Sequence, residues 1–355
     1  MEAPAARRQD TLPMMTAVVR VDRTHPEPAA ILRAAACLRR GGLVAFPTET
    51  VYGLGAHALD PTAVRRLFDA KGRPSTDPLI VHVAGLDEAA ALTTGMPAVA
   101  ALLARQFWPG PLTLVMRRAA VVPAEVTAGL DTVAIRVPAH PVAQALLAAA
   151  RLPVAAPSAN LFSRPSPTRA EHVLDDLRGR IDLVLDAGPT PVGVESTVLD
   201  LTVDPPVVLR FGAIDLESLR RVVPRVQATP PAAAGGAMPS PGLLPQHYSP
   251  RTPLTLCRGD AASFAEVVSR TMAEGRRVGV LATSEDAAAL GHTPTAVADL
   301  GSGHDARGVA ARLYAALREL DAAQLDVILV RDFPRDDGLW RALRDRLRRA
   351  AARTM

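Results

Sequence analysis

The sequence predicts an α/β protein of two domains, and three observations carry that expectation. The chain has 355 residues, long enough for two cores, and 48% of them are apolar, which excludes a disordered chain. Strand-like apolar runs alternate with helix-length amphipathic stretches, and no repeat of 20–50 residues interrupts them. Residues 226–250, VQATPPAAAGGAMPSPGLLPQHYSP, carry no charge and are dense in Pro, Gly and Ala, the composition of a linker. The division read from this is a first domain over 16–225, a linker or lid over 226–252 and a smaller domain over 253–355.

The elements of the first domain follow in order. Residues 17–21 (AVVRV) read as a strand, and 28–40 as an amphipathic helix stopped by Gly41 and Gly42. A strand at 43–46 runs into PTETVYGLGAHA, read as a loop in which glycines admit a ligand and hydroxyls bond it. That loop is neither a Walker loop nor G-x-G-x-x-G. A helix at 61–70, started by Asp60 and Pro61, delivers KGRPSTDPLIVH at 71–82. Lys71 is the only lysine among 40 Lys and Arg residues, which suggests that a compact ammonium is needed there. Pro74 biases Arg73 toward extended backbone, and in an extended chain Lys71 and Arg73 would share a side and converge on one anion. Taken alone, a loop holding two surface charges is the plainer reading.

LIVHV, with His82 inside it, reads as a buried strand, followed by helices at 86–93 and 97–107 and a strand at 112–116. In TVAIRV at 132–137, alternation sets Thr132, Ala134 and Arg136 on one face and Val133, Ile135 and Val137 on the other. Thr132 and Arg136 would lie about 13 Å apart along that face. An arginine in a buried run requires an anion, either a protein carboxylate or a ligand. In VAAPSANLFSRPSPT at 154–168 a strand meets a hydroxyl-rich loop. Thr168 should cap the helix that follows, which leaves Ser158, Asn160 and Ser166 for a ligand. Strands at 181–188, 196–203 and 207–210 complete the domain and bring Arg210 to a strand end. Taken plainly, Ser196 is a satisfied strand hydroxyl and Arg210 a surface charge. Beyond the linker, LTLC, RVGVLAT and LDVILV alternate with helices at 260–274, 305–320 and 337–351, the pattern of a small, mostly parallel α/β domain.

Composition excludes several function classes. Aromatics are 3% of the chain, too few for a platform that stacks single-stranded bases. The formal charge is only +4 at a pI near 9.6, and part of it sits in the tail RALRDRLRRAAART, so a nucleic-acid surface is permitted rather than demanded. Cys37 and Cys257 fall in different halves in apolar contexts, which suits a reducing cytosol rather than a disulfide framework or a metal cluster. No apolar signal region follows the first arginine pair, and the longest charge-free apolar run, 89–104, contains Gly95 and Pro97. No membrane span is expected, and a cytoplasmic location is.

Seven blocks in order carry a resemblance: FPTETVYGLG at 46–55, KGRPSTDPLIVH at 71–82, WPGPLT at 108–113, DTVAIRV at 131–137, VAAPSANLFSRPSPT at 154–168, GVESTVLD at 193–200 and VLRFG at 208–212. Together they resemble the YrdC-like domain of the threonylcarbamoyl-AMP synthases, and SPGLLPQHYSP resembles that family's linker, which inserts over the active site. The resemblance implies a YrdC-like twisted open-sheet domain followed by a smaller Rossmann-like α/β domain. It implies a nucleotidyltransferase that joins L-threonine, bicarbonate or carbon dioxide, and ATP into threonylcarbamoyl-adenylate, releasing pyrophosphate. By resemblance Lys71 is catalytic. ATP contacts fall on Arg73, Asp77, Thr132, Ser158, Ser166, Arg210 and Tyr248. Threonine contacts fall on Thr50, His82, Arg136, the backbone at Ala156, and Ser196. Mg2+ would accompany ATP, held by phosphate oxygens and water rather than by a protein cage. The product would pass to the machinery that transfers threonylcarbamoyl to tRNA, without direct tRNA binding by this chain.

Some positions depart from the family pattern. Asp77 stands where asparagine is usual, adding negative charge near the phosphates. Phe211 replaces the proline of Leu-Arg-Pro-Gly. Gln246 replaces a basic residue before His247, Leu244 and Pro245 are also unusual, and Trp340 stands where glycine is favoured. Two rival readings are an RNA-binding or ribosome-assembly protein, which would bind with a steep salt dependence, and a carbamoyl-adenylate enzyme of hydrogenase maturation, whose zinc-finger and acylphosphatase segments are missing from this sequence.

Overall fold

The computed structural model describes residues 15–228 and 247–355. Most of the expected linker, with Leu244, Pro245 and Gln246, lies outside the described residues. Among the described residues the chain forms two sheets, and both belong to the α/β class that the sequence predicts.

The first sheet holds β1 (Ala17–Arg20), β2 (Val44–Pro47), β3 (Tyr52–His57), β4 (Ile80–His82), β5 (Leu112–Arg117), β6 (Thr132–Arg136), β7 (Val154–Ala155), β8 (Leu183–Asp186), β9 (Thr197–Asp200), β10 (Val207–Arg210) and β11 (Gln227–Ala228). Their order is β1-β8-β2-β3-β7-β4-β6-β5-β9-β10-β11, with parallel and antiparallel pairs mixed. Strand alternation sends neighbouring residues to opposite faces. Val44 and Phe46 meet the helices Pro28–Arg39 and Pro141–Ala150 on one face. Leu43 and Ala45 join the main core on the other, beneath the helices Pro61–Lys71, Ala98–Phe107 and Ala170–Leu177.

The strand expected at 132–137 alternates as read. Val133, Ile135 and Val137 enter the main core, while Ala134 packs with Ile80, Val115 and Val198 on the opposite face, the one from which Arg136 rises.

Several local expectations change. Half of the segment read as a Gly-rich loop is β3, antiparallel to β2. Gly55 gives the physical reason: a Cβ there would sit 2.9 Å from Phe46 and from Val154, so the glycine serves close strand packing. The helix Pro141–Ala150 is apolar almost throughout and so shows no amphipathic period to read. Thr168 does not cap its helix: Ala170–Leu177 starts from Arg169 without a side-chain cap, and the Thr168 amide donates to His172 Nδ1 at 3.3 Å. Lys71 and Arg73 are not an extended pair, because Lys71 is the last residue of Pro61–Lys71 and Gly72 caps it in the left-handed region.

The second sheet holds β12 (Leu254–Cys257), β13 (Val278–Ala282), β14 (Ala296–Asp299), β15 (Val327–Arg331) and β16 (Arg353–Thr354), ordered β14-β13-β15-β12-β16 with every pairing parallel. The helices Ala306–Ala322 and Gly338–Ala350 cover one face and Ala261–Ala273 the other. Trp340 packs on Phe333, ring centroids 4.9 Å apart, inside this unit's core. That core is shared with the first unit, since Val51, Val194 and Tyr248 belong to it. The contact is close enough to require glycine at 193, where a Cβ would sit 2.1 Å from the Ala310 carbonyl oxygen. Among the described residues no helix is long and apolar enough to cross a membrane.

Candidate active site

The elements around β4 and β6 line a cavity of about 50 Å³ in which charged and hydroxyl side chains stand among apolar ones. The β2–β3 turn supplies Thr48, Thr50 and Val51, and β4 supplies Ile80 and His82. Arg136 comes from the end of β6, Ala156 to Ser158 from the loop after β7, and Arg210 from the end of β10. Glu195 and Ser196 precede β9, Arg73 follows the helix Pro61–Lys71, and His247 and Tyr248 close the cavity from the linker's end.

One part of the cavity is built around Arg136. Its guanidinium donates to Glu49 Oε1 at 2.6 Å, to the Thr50 hydroxyl at 3.0 Å and to the Gly110 carbonyl at 3.2 Å. Thr50 is held in turn by the Thr48 hydroxyl at 2.8 Å, which also donates to the Val51 carbonyl and so fixes the turn. Of the two anions open to Arg136, the structure thus supplies a protein carboxylate. Directly across the strand pair sits His82. Burial, then the nearby Arg136 charge, push His82 down to about 3, so the ring is neutral. Its Nδ1 lies 3.3 Å from the Ile80 carbonyl, which can only accept; the proton is therefore on Nδ1 and Nε2 is left as an acceptor.

The other part is cationic. Arg73 donates to the carbonyls of Asp77 at 3.1 Å and Pro78 at 2.8 Å, and Asp77 Oδ2 lies 3.0 Å from its guanidinium. Asp77 is buried behind the cavity, not in its lining, and among the described residues neither carboxylate oxygen accepts a hydrogen bond of good geometry. Its added negative charge is therefore spent on Arg73. Arg210 donates to the Ser196 carbonyl and hydroxyl, both at 3.1 Å, and Ser196 also meets Thr113 at 2.7 Å. Gly212 lets this turn close, since a Cβ there would sit 2.3 Å from the Glu195 carbonyl oxygen.

The expected site residues divide accordingly. Thr50, His82, Arg136, Ala156, Ser196, Arg73, Ser158, Arg210 and Tyr248 line the cavity, whereas Lys71, Asp77, Thr132 and Ser166 do not. Lys71 is fully buried beneath the loop and donates to the carbonyls of Ser158 and Asn160. Burial, then Arg73, push its ammonium well below the usual lysine range. Thr132 lies at the half-buried far end of β6. Ser166 is committed to Glu195, its hydroxyl donating at 2.5 Å, and the Asn160 amide turns back to the carbonyls of Leu161 and Arg164 at 2.6 and 3.0 Å.

The sequence reading did not single out Glu195 or Thr48 as lining residues, whereas His247, part of the linker motif expected over the site, lines the cavity beside Tyr248. Glu195 lies inside the quoted block GVESTVLD, but the groups that explain it are remote. Arg346 donates to it at 2.8 Å and Tyr314 at 3.0 Å, both from the second unit. Burial pushes this carboxyl up, yet Arg346, Arg210 and the Ser166 hydroxyl outweigh burial and hold it at about 2. Phe211, in place of proline, offers its carbonyl to Arg346 at 2.8 Å and its ring to Arg341, whose guanidinium lies 5.2 Å from the centroid.

Comparison with known proteins covers both units. The family described as telomere recombination matches residues 36–212, and the family of the threonylcarbamoyl-AMP synthase C-terminal domain matches 214–352. A threonylcarbamoyl-AMP synthase of Pyrococcus abyssi is 42% identical over 95% of this chain and 98% of its own. One from Bacillus subtilis is 46% identical over 90% and 92%. The crystal structure of P. abyssi Sua5 complexed with L-threonine superposes with a TM-score of 0.89 at 40% identity, covering 96% of this chain and all of that one.

Proposed function

We propose that this chain, which belongs to the threonylcarbamoyl-AMP synthase family, forms L-threonylcarbamoyl-adenylate from L-threonine, bicarbonate or carbon dioxide, and ATP, with release of pyrophosphate. One observation carries the reading: a single cavity joins a polar corner at Thr50, His82 and Arg136 to a cationic corner at Arg73 and Arg210. A carboxylate suits Arg136, whose planar fork binds carboxylates in two-point fashion. The threonine amine and hydroxyl suit the His82 Nε2 acceptor and the threonine hydroxyls of the β2–β3 turn. The bound L-threonine of the P. abyssi protein supports the amino-acid corner.

The chemistry needs no protein nucleophile. The threonine amine attacks carbon dioxide, forming an N–C bond and losing a proton, which gives a carbamate. A carbamate oxygen then attacks the α-phosphorus of ATP, the bond from that phosphorus to the β-phosphate bridge breaks, and pyrophosphate leaves. The chain's work is to align these groups and to offset the charge on the phosphates. Arg73 and Arg210 face the phosphates and Tyr248 covers the nucleotide. Lys71 acts from behind, holding the loop that presents Ser158.

Magnesium would ride on the triphosphate and offset the charge of the leaving pyrophosphate. The three carboxylates nearest the cavity, Glu49, Asp77 and Glu195, each face an arginine. Among the described residues no three His, Cys, Asp or Glu side chains form a metal cluster. The residues present therefore fit a metal held by phosphate oxygens and water. The division 16–225, 226–252 and 253–355 stands as part of the proposal, as does a cytosolic setting, in which two free cysteines are stable and the product passes to a tRNA-modifying transferase. Incubation of the purified protein with ATP, threonine and bicarbonate tests the reading. Pyrophosphate release that requires both co-substrates supports it, and release indifferent to threonine overturns it.

A further inference from the structure

A fully buried contact between the two units is made by Arg346, on the helix Gly338–Ala350. It is 1% exposed, the largest fully buried side chain among the described residues. Three of its contacts touch the cavity or its immediate backing. Nε donates to Glu195 Oε2 at 2.8 Å, and Nη2 donates to the carbonyl of Phe211, beside Arg210, at 2.8 Å. The guanidinium lies 5.1 Å from the centroid of the Tyr248 ring, whose other neighbours are Tyr314 at 5.6 Å and His247 at 4.1 Å. A fourth contact, Nη1 to Asp345 at 2.7 Å, anchors it within its own helix.

A structural ion pair in a core would satisfy one carboxylate and stop there. This arginine spans three separate segments of the cavity wall: the turn before β9, the end of β10 and the linker's end. It is a planar fork with its donors in fixed directions, so its placement sets the relative positions of all three. Tyr248 needs such support. It stands at a positive φ of 65°, a strained setting for a bulky residue, and its hydroxyl finds no hydrogen-bond partner among the described residues. Ring contacts and the Arg346 charge take the place of that bond in holding it.

We propose that Arg346 is a positioning residue for adenylate formation: by holding Glu195, the Phe211 carbonyl and the Tyr248 ring together, it makes the second unit part of the first unit's active site. The proposal rests on the adenylate-forming reading of the cavity. Glu195 is the reporter of this arrangement. It is faced by Ser166 from the loop after β7, Arg210 from β10, His247 and Tyr248 from the linker's end, and Tyr314 and Arg346 from the second unit. Its ionised state depends most on Arg346 among the charges around it, so loss of that charge raises its pKa and brings an acid limb into the activity profile.

The test uses the full chain with Arg346→Met, Arg346→Lys and Tyr314→Phe, with two readouts. The first is steady-state pyrophosphate release against pH. Arg346→Met should lower kcat at least tenfold while changing KM for threonine less than threefold, and its acid limb should move toward neutral. Arg346→Lys should recover part of both effects, and Tyr314→Phe should shift the limb slightly. The second is hydrogen exchange of the His247 and Ser249 amides, which the wild type ties to the Arg349 and Ser163 carbonyls. Protection there should fall in Arg346→Met, and in Arg346→Lys if the methionine variant does not fold. Unchanged kcat, pH profile and protection overturn the proposal. If the wild type makes no adenylate at all, the functional reading fails, and the exchange measurement alone still decides whether Arg346 holds the wall: unchanged protection overturns that too.

Discussion

Arg136, which lines the cavity, and Glu49, which lies outside its lining, face one another at 2.6 Å, with the Thr50 hydroxyl on the same guanidinium. The arginine that would bind an amino-acid carboxylate therefore already carries a partner of that kind. A carboxylate ligand must share the fork with Glu49 rather than neutralise a bare charge. The first consequence is that removing the arginine harms two things at once, ligand binding and the buried Glu49.

Arg136→Ala should weaken threonine binding by about 2–5 kcal/mol, the usual cost of deleting one member of a desolvated charge pair. ATP binding should change far less. Titration calorimetry with each ligand separately measures this. Equal weakening of both would make Arg136 a structural residue.

Lys71→Arg tests why this chain retains a lysine at one position only. The ammonium sits in a closed site between two backbone carbonyls, and a larger planar fork must displace the 158–160 loop. Overpacking of this kind costs about 1–3 kcal/mol of stability, and turnover should fall with it because Ser158 moves. Thermal melts and pyrophosphate assays on one preparation check both. Wild-type values for both would show that only the charge matters.

His82 gives a pH prediction with a definite sign. Its folded pKa, about 3, lies below the unfolded value of 6.5. The unfolded chain therefore binds a proton that the native state refuses, and the stability from this group is full above about pH 6.5 and falls as the pH drops toward 3. The slope is about 1.4 kcal/mol per pH unit for one group. His82→Gln should flatten the loss of stability between about pH 6 and 4 by that amount, read by denaturant unfolding at each pH. An unchanged slope would mean that His82 is solvated in the native state.

Tyr248→Ala removes the ring that closes the cavity. Aromatic pairs contribute about 0.5–1.5 kcal/mol beyond their buried area, so kcat/KM for ATP should fall by roughly threefold to tenfold or more. The adenylate should also be lost to water faster, since covered sites protect labile intermediates. Equal lifetimes of the intermediate in the two proteins would reduce this residue to a packing role.

Much of the fold was legible because strand alternation and turn residues are local. The 132–137 strand and its two faces follow from period two alone, and Asp60 caps its helix as read, accepting from the Thr62 amide at 2.8 Å. β3 was hidden because its glycines, placed for close strand packing, imitate a loop. Four-residue AVAD at β14 is too short to show a period. The cavity lining was partly legible through the quoted blocks. What local sequence could not give is commitment: that Ser166 is bound to Glu195, that Asp77 is bound to Arg73, and that Glu195 answers to a residue 151 positions away. Only the last is set by packing between the units; Ser166 and Glu195 meet within the first unit, and Arg73 and Asp77 pair across four positions of a turn where extended backbone was expected.

The most direct test of the central claim follows the carbon. Purified protein with ATP, L-threonine and isotopically labelled bicarbonate should convert the label into a threonine-containing adenylate, with one pyrophosphate released for each adenylate formed. Omitting threonine or bicarbonate should abolish both products. Pyrophosphate released without incorporation of label, or label incorporated without ATP cleavage, would contradict the account.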